Sequence, residues 1–300
     1  MSKIAIVTDS NSGITQVEAA EYGITVIPMP FYINGDAYYE EINLSQEQFY
    51  EKLVSGVDIS TSMPNIGDVI AKFDSLLKIH DQILYIPMSS GLSSSCSAAT
   101  AMAEDRYGDK VVVLDAQRIS VTQRQITIEA LELSKNGLSA QEIASKLLSI
   151  KMDSRIYITV DTLTYLKRGG RLTPAVAAIG SLLKIKPVLS IYGDKLDKYA
   201  MARSMKQAKQ VMIDALRKDL NTFLNDPEGT ESIISIAHTD NLEAAIAFKE
   251  ELNKEFPNVK FGWIDPLSLS VSCHIGPGSL ACTVTRRLLD TEKYDKYIKE

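Results

Sequence analysis

The densest group of potentially reactive side chains is "SSGLSSSCS", residues 89–97, which directly follows the apolar run "QILYIPM". Six serines, at 89, 90, 93, 94, 95 and 97, crowd around Gly91. Hydroxyls at such a turn can cap a helix, hold an anion together with helix N-terminal N–H groups, or attack an acyl group. One or two serines suffice for a cap, so six point towards anion or carboxylate binding. A hydrolase elbow reads Gly-x-Ser-x-Gly; around Ser93 the first glycine is Gly91, but Ser95 stands where the second belongs. A Ser–His pair would have to draw on His80, His238 or His274. A lone histidine is more often structural than catalytic. His274, in "SCHIGPGSLA" between a hydroxyl-rich strand and a rigid Gly-Pro-Gly turn, is the one best placed at a cleft. Ser93 with His274 therefore keeps a serine hydrolase or acyltransferase open as the alternative function.

The elements that must carry these residues alternate. "IAIVTDS" (4–10), "QILYIPMS" and "KVVVLDA" read as buried strands. Helical patterns lie at 15–23, at "NLSQEQFYEKLVSG", within 61–80, near 92–105, and at 119–135 and 139–151. Asn34-Gly35 between β-branched and aromatic residues predicts a hairpin. Strands alternating with helices predict βαβ units and a parallel sheet, whose ligands bind outside the carboxyl ends of the strands. Four polar tips, "TDSNSG" (8–13), "STSMPN" (60–65), "MSSGLSSS" (88–95) and "LDAQ" (114–117), are expected at one edge of that sheet. Each also precedes a helix, so capping competes with ligand contact. For "TDSNSG" alone, capping is the stronger reading.

Beyond residue 153 the rhythm changes. A strand at 155–161 precedes a short helix broken by Gly169-Gly170. Thr173-Pro174 then opens the apolar helix "AVAAIGSLL". Residues 186–203 read as two strands joined at Gly193-Asp194, followed by a helix at 204–220, the strand "ESIISIAH", a helix at 241–255 and the strand "KFGWI". The expected organisation is an α/β protein of two domains, residues 1–153 forming a Rossmann-like parallel sheet with helices and 154–300 an α+β domain.

With 45% hydrophobic and 23% charged residues in 300, the chain has ample material for a core. A formal charge of −6 argues against a nucleic-acid partner, which needs a basic face. The opening "MSKIAIVTDS" lacks the apolar run of a signal peptide. The longest apolar stretch, 174–191, is interrupted by Lys184, Lys186 and Pro187, so no integral membrane segment is expected. Three cysteines without ligand spacing argue against a disulfide frame or a metal site. These features together predict a cytoplasmic protein without metal or cofactor. No P-loop or GxGxxG occurs, which disfavours a third reading as a binder of a phosphorylated small molecule.

Seven motifs in order carry a resemblance: "TDS" at Thr8–Ser10, "TSMPN" at Thr61–Asn65, "SSGLSSS" at Ser89–Ser95, "RGGRL" at Arg168–Leu172, "KPVL" at Lys186–Leu189, "ARS" at Ala202–Ser204 and "HIGPG" at His274–Gly278. The chain resembles the DegV family of bacterial fatty-acid-binding proteins. That resemblance implies a lipid tunnel between two domains, with a long-chain fatty acid as ligand and no catalysis by this chain. A separate ATP-dependent fatty acid kinase would phosphorylate the presented carboxylate for phospholipid metabolism. By motif, Thr61, Ser62, Ser93 and His274 would meet the carboxylate, Gly91 and Leu92 would support the turn, and Arg171 and Arg203 would face the kinase or phosphate. Where the family often has Ser-Gly-Thr after the Gly-Leu pair, this chain has Ser93-Ser94-Ser95, and "TSMPN" replaces a commoner Thr-Ser-Gln-Pro-Ser. The apolar helix, small on one side at Ala175, Ala177, Ala178 and Gly180, is expected to offer Ala177, Ile179 and Leu182 as tunnel wall; ordinary close packing explains such a pattern equally well.

Overall fold

A computed structural model describes residues 3–171, 174–177 and 185–298. The chain forms two compact units, one of Met1–Lys151 with Ser268–Ser270, the other of Met152–Leu267 with Val271–Glu300. The fold class is α/β.

The first unit contains, in order, β1 (Ile4–Asp9), α1 (Gln16–Tyr22), β2 (Thr25–Ile27), β3 (Phe31–Ile33), β4 (Asp36–Tyr38), α2 (Gln46–Val54), β5 (Ile59–Thr61), α3 (Ile66–Leu76), β6 (Gln82–Ile86), α4 (Ser95–Arg106), β7 (Val111–Val113), α5 (Val121–Ser134) and α6 (Ala140–Ser149). Four strands pair in parallel in the order β2-β1-β6-β7. Both faces of such a sheet are covered, so its strands read as continuous apolar runs rather than alternating ones. On one face Ala5, Val7, Ile83 and Tyr85 pack with Val69 and Phe73 of α3 and Ala99 and Ala103 of α4. Helix starts follow the expected chemistry: Thr15, Ser45 and Ser139 each form a full capping box, closed by Glu18, Gln48 and Glu142.

Asn34 and Gly35 have φ of 52° and 90°, the left-handed pair a tight hairpin requires, and they join β3 to β4. A third strand, β5, pairs antiparallel with β3 and makes a separate three-stranded sheet, β4-β3-β5. This corrects the expected placing of "STSMPN". Ile59–Thr61 is too short to announce itself by periodicity, and it ends the small sheet rather than the parallel one.

The second unit contains β8 (Ser154–Thr159), α7 (Thr164–Arg168), α8 (Pro174–Ala177), β9 (Lys186–Tyr192), β10 (Lys195–Ala202), α9 (Met205–Lys218), β11 (Ser232–His238), α10 (Leu242–Glu255), β12 (Lys260–Pro266), the C-terminal part of α11 (Leu269–Ile275), β13 (Leu280–Arg286) and α12 (Glu292–Asp295). Six strands run in the order β10-β9-β8-β13-β11-β12, with only the β11–β12 pair parallel. That pair is joined through α10, as a parallel connection demands. Met212 and Leu216 of α9 and Phe248 and Leu252 of α10 belong to one core with Tyr157, Val188, Ile234, Ile236 and Val284 of the sheet. The expected "hydroxyl-rich strand" before His274 is instead the helix α11. "SLSVS" alternates like a strand, but Ser272 Oγ donates back to Leu267 O at 3.2 Å and the other two serines point into a buried polar node. Local hydroxyl bonding overrides the period-two pattern.

Inside the first unit the "TDSNSG" tip is consumed by internal hydrogen bonds. Thr8 Oγ1 donates to Ile86 O, Ser12 Oγ donates to Asp9 O, and Ser10 Oγ accepts from Met29 N. Asp9, fully buried, accepts from Asn11 N, Met88 N and the Gln123 amide. Its burial pushes the carboxyl up to about 6, against the pull of those donors. The capping reading of this tip holds. Nearby, Glu40 accepts from Leu269 N at 3.0 Å and from Gln46 Nε2 at 2.7 Å.

Burial raises the Glu40 carboxyl to about 7, with the neighbouring Glu41 charge adding to the rise and the two donors opposing it. A carboxyl whose folded pKa exceeds its ordinary value of 4.5 holds its proton more tightly in the folded state. Its stabilising contribution is complete below that ordinary value and is lost as pH rises through about 7. The stability of the native chain relative to Glu40→Gln, measured by urea denaturation, should therefore fall as pH is raised from 4.5 to about 7. A difference that stays constant across that range would refute the assignment.

Candidate functional site

The serine turn is built backwards from the tip of β6. Ser89, fully buried, donates its N–H to Arg118 O at 2.9 Å, and its carbonyl accepts from Leu92 N and Ser93 N. Its hydroxyl accepts from Gly91 N at 3.3 Å. Gly91 is not among the glycines with positive φ, so Ser89 rather than left-handed backbone at Gly91 makes the bend. Ser90 donates to Asp115 Oδ2 at 2.7 Å, tying the turn to the "LDAQ" tip after β7. Asp115 also accepts from Gln117 N and lies 3.8 Å from Lys151 Nζ.

Ser93 is the pivot. Its Oγ accepts from Ser95 N at 3.2 Å, which caps the first turn of α4. That contact uses a lone pair and leaves the O–H proton to be donated elsewhere. Ser94 is exposed, and its hydroxyl lies 4.0 Å from Met63 Sδ. This contact sets the segment after β5 beside the serine turn, so two polar tips on different sheets converge. Thr61 is half-buried at the end of β5, while Ser62 is exposed and donates to Met63 O at 3.1 Å. Ser95 Oγ is buried with no hydrogen-bond partner among the described residues. Of the six serines, Ser89 and Ser90 hold the turn, Ser93 accepts from Ser95 N, Ser95 is buried, and Ser94 and Ser97 face solvent.

His274 belongs to the second unit, near the end of α11. It rests against the bare Cα of Gly169: a Cβ there would lie 1.9 Å from His274 Nδ1. In the turn that follows, a Cβ on Gly276 would lie 2.2 Å from the Tyr165 ring and one on Gly278 3.1 Å from the Asp161 carboxylate. Asp161 is paired with Lys186. Arg171 is exposed and donates from Nη1 to Gly169 O at 2.7 Å. Burial, reinforced by the Arg171 charge, pushes the His274 imidazole down to about 4. It is neutral at pH 7 and a weak base, which disfavours Ser–His hydrolysis. Arg203 is exposed between β10 and α9, its N–H bonded to Gln207 Oε1. Ile179 and Leu182 lie outside the described residues, as does the side chain of Ala177.

The DegV family model, described as an uncharacterised protein family, matches residues 3–287. The chain belongs to the DegV family. It is 32% identical over 279 residues to Protein DegV of Bacillus subtilis, covering 92% of this chain and 97% of that one. Among solved structures, DegV from Bacillus subtilis, described as a fatty acid binding protein, superposes with a TM-score of 0.83 at 31% identity, covering 96% of this chain and 100% of that one. A DegV family protein from Thermus thermophilus, also described by its fatty acid binding, gives a TM-score of 0.86 at 25% identity over 95% of this chain and 99% of that one. Among the described residues no group of side chains is arranged to hold a metal ion, and no helix is long and apolar enough to cross a membrane.

Several parts of this arrangement are invisible in the motifs. Gln123 and Glu40 are ordinary polar residues in sequence, and only the fold brings them to the tips. Gly169 was expected to end a helix, which it does at φ −77°, but its contact with His274 needs the fold. Any L-residue can adopt that backbone conformation, and the nearest atoms a Cβ at Gly169 would meet are those of the His274 imidazole. The Gly169→Ala variant should keep its circular dichroism and displace the His274 ring, moving the His274 imidazole NMR signals while those of His80 and His238 stay in place. Unmoved His274 signals would contradict the packing.

Proposed function

We propose that this protein binds a long-chain fatty acid and presents its carboxylate to a separate ATP-dependent kinase, without itself catalysing the transfer. The observation that carries the reading is the convergence of the Thr61–Met63 segment with the serine turn, where the Ser93 O–H is left to donate. Thr61, Ser62 and Ser93 are assigned to the carboxylate, and the family motif adds His274 as a neutral donor to the same head group. The fatty acid binding of the Bacillus and Thermus relatives supports the ligand class. The three cysteines, all unpaired and buried, accord with a cytoplasmic setting.

Affinity and chemistry divide between the two ends of such a ligand. Burying an acyl tail gains about 0.8 kcal/mol per methylene, so a tail of about fourteen gives roughly 11 kcal/mol before the costs of association. The head group is then free to serve orientation. Hydroxyls fix a carboxylate without neutralising it, whereas a contacting guanidinium or ammonium would pair with it strongly and lower its nucleophilicity. A neutral His274 fits the same logic. The exposed Arg171 and Arg203 are assigned to the kinase or to phosphate, where a planar, permanently charged donor suits.

Denaturing extraction of the purified protein followed by mass spectrometry should release a stoichiometric long-chain fatty acid. A covalent acyl adduct on Ser93 would overturn the non-catalytic reading, and a polar phosphate would overturn the ligand class. Thr61→Ala and Ser93→Ala should each slow acyl-phosphate formation in the presence of a fatty acid kinase; wild-type rates in both would sink the carboxylate assignment. Arg171→Ala should impair that coupling with lipid content unchanged, and loss of the lipid itself would count against its role.

A further inference from the structure

The second unit carries a guanidinium that its own chain holds but does not use. Arg155 stands near the start of β8, one residue before Ile156, whose ladder partner on β9 is Ile191. Continuing that antiparallel register sets Arg155 opposite Tyr192, the last residue of β9. The guanidinium carbon of Arg155 lies 3.4 Å from the centroid of the Tyr192 ring and 4.2 Å from that of Phe223. The two rings meet edge to face, their centroids 5.6 Å apart. Phe223 is delivered by a π-helical turn, Asp219–Phe223, which continues α9 and in which the Leu224 N–H bonds to Asp219 O at 2.8 Å. Such wide turns are frequent at functional sites.

The rings hold the cation but take none of its hydrogen bonds. A guanidinium has five N–H donors in a fixed fork, and Arg155 bonds and ion-pairs with none of the described residues; its Nε is buried without a partner among them. The acid whose charge it feels, Asp219, is engaged instead by Tyr157 OH at 2.6 Å. Around the half-buried Arg155 the surface is aromatic and cationic. Tyr192 and Phe223 are half-buried, and Tyr199 is 40% exposed with its ring 4.8 Å from that of Tyr157. Lys195, opposite Tyr192 in the hairpin, and Lys218, just ahead of the π-helical turn, are both exposed. Against these three cations stand Asp194 of the hairpin and the buried Asp219, so the balance is positive.

We propose that Arg155, framed by Tyr192, Phe223 and Tyr199, is a docking site for an acidic side chain of a protein partner. Tyrosine, phenylalanine and arginine are the side chains enriched where proteins meet. Two rings at right angles fix the guanidinium in advance, so little order remains to be imposed on binding. A carboxylate would supply the acceptors that the chain itself withholds, in the paired geometry an arginine fork favours. The site makes no use of the fatty-acid reading. Asp161, beside Gly278, follows the opposite end of β8, about 20 Å of extended chain away.

The test uses the full chain and a blocked tetraglutamate peptide as the probe, with tetraglutamine, acetate and inorganic phosphate at matched ionic strength for comparison. Arginine side-chain NMR should show a saturable shift of the Arg155 Nε–H signal, with the Tyr192 and Phe223 ring signals, for tetraglutamate and not for tetraglutamine. Arg155→Lys keeps the charge and loses the fork, and should weaken the peptide by about tenfold. Should that variant fail to fold, the native titration decides alone. No saturable shift, or an equal one with tetraglutamine, overturns the proposal. Acetate binding as tightly as the peptide, or phosphate binding more tightly, overturns the acidic-protein assignment, as does full affinity in a folded Arg155→Lys.

Discussion

The Asp9 carboxylate is the joint on which the first unit depends. It sits at the end of the central strand β1 and, through three donors, gathers the backbone after β6, the turn after β1 and the α5 side chain of Gln123. A carboxylate taken wholly out of water is expensive unless hydrogen bonds replace its hydration. Here N–H donors do so incompletely, and burial still raises the carboxyl to about 6. The cost has a structural return. Donors from separate elements can satisfy one group only if β1, β6 and α5 are in register, so a single buried anion specifies how three elements meet. Ser120, at the start of α5, has φ 56°, an uncommon backbone for a residue with a Cβ, and its N–H bond to Asn11 O holds it there.

The serine turn follows from the same geometry. Parallel pairing places β6 between β1 and β7; beyond its end the N–H groups of Ser89 and Ser90 are taken by Arg118 O and Asp115, and their hydroxyls by Gly91 N and Asp115. What remains presented is narrow: Ser93 with a proton to donate, and Ser94 beside Met63. Hydroxyl density is therefore a poor count of ligand contacts, because three of these six serines, Ser89, Ser90 and Ser93, are used to build the turn itself. The histidine is tuned by other means. Burial and a neighbouring guanidinium push its pKa down to about 4, so it carries no charge at neutral pH.

Much of the fold was legible in the sequence because its signals are local. Apolar runs marked β1, β6 and β11; Asn34-Gly35 marked a hairpin; serine, threonine and glycine marked helix ends. The misses share one cause. β5 is three residues long and exists through its pairing with β3, and α11 forms from an alternating sequence because its serines find partners distant in the chain. The motifs named Thr61, Ser93 and His274 as candidates, but the surroundings of these residues were not legible. That Ser93 caps α4 and that Gly169 abuts the imidazole are facts of tertiary packing.

The path of the chain also bears on how this molecule divides. The first unit is not a contiguous stretch, since it takes Ser268–Ser270 from far downstream. A fragment ended at Lys151 would expose the buried amide oxygen of Asn11 and strip Glu40 of its backbone donor. Its complement would begin α11 with no anchor. The covalent boundary and the physical boundary are different surfaces here. Recombination between family members at residue 151 would therefore need to exchange Ser268, Leu269 and Ser270, near the other end of the gene, as well.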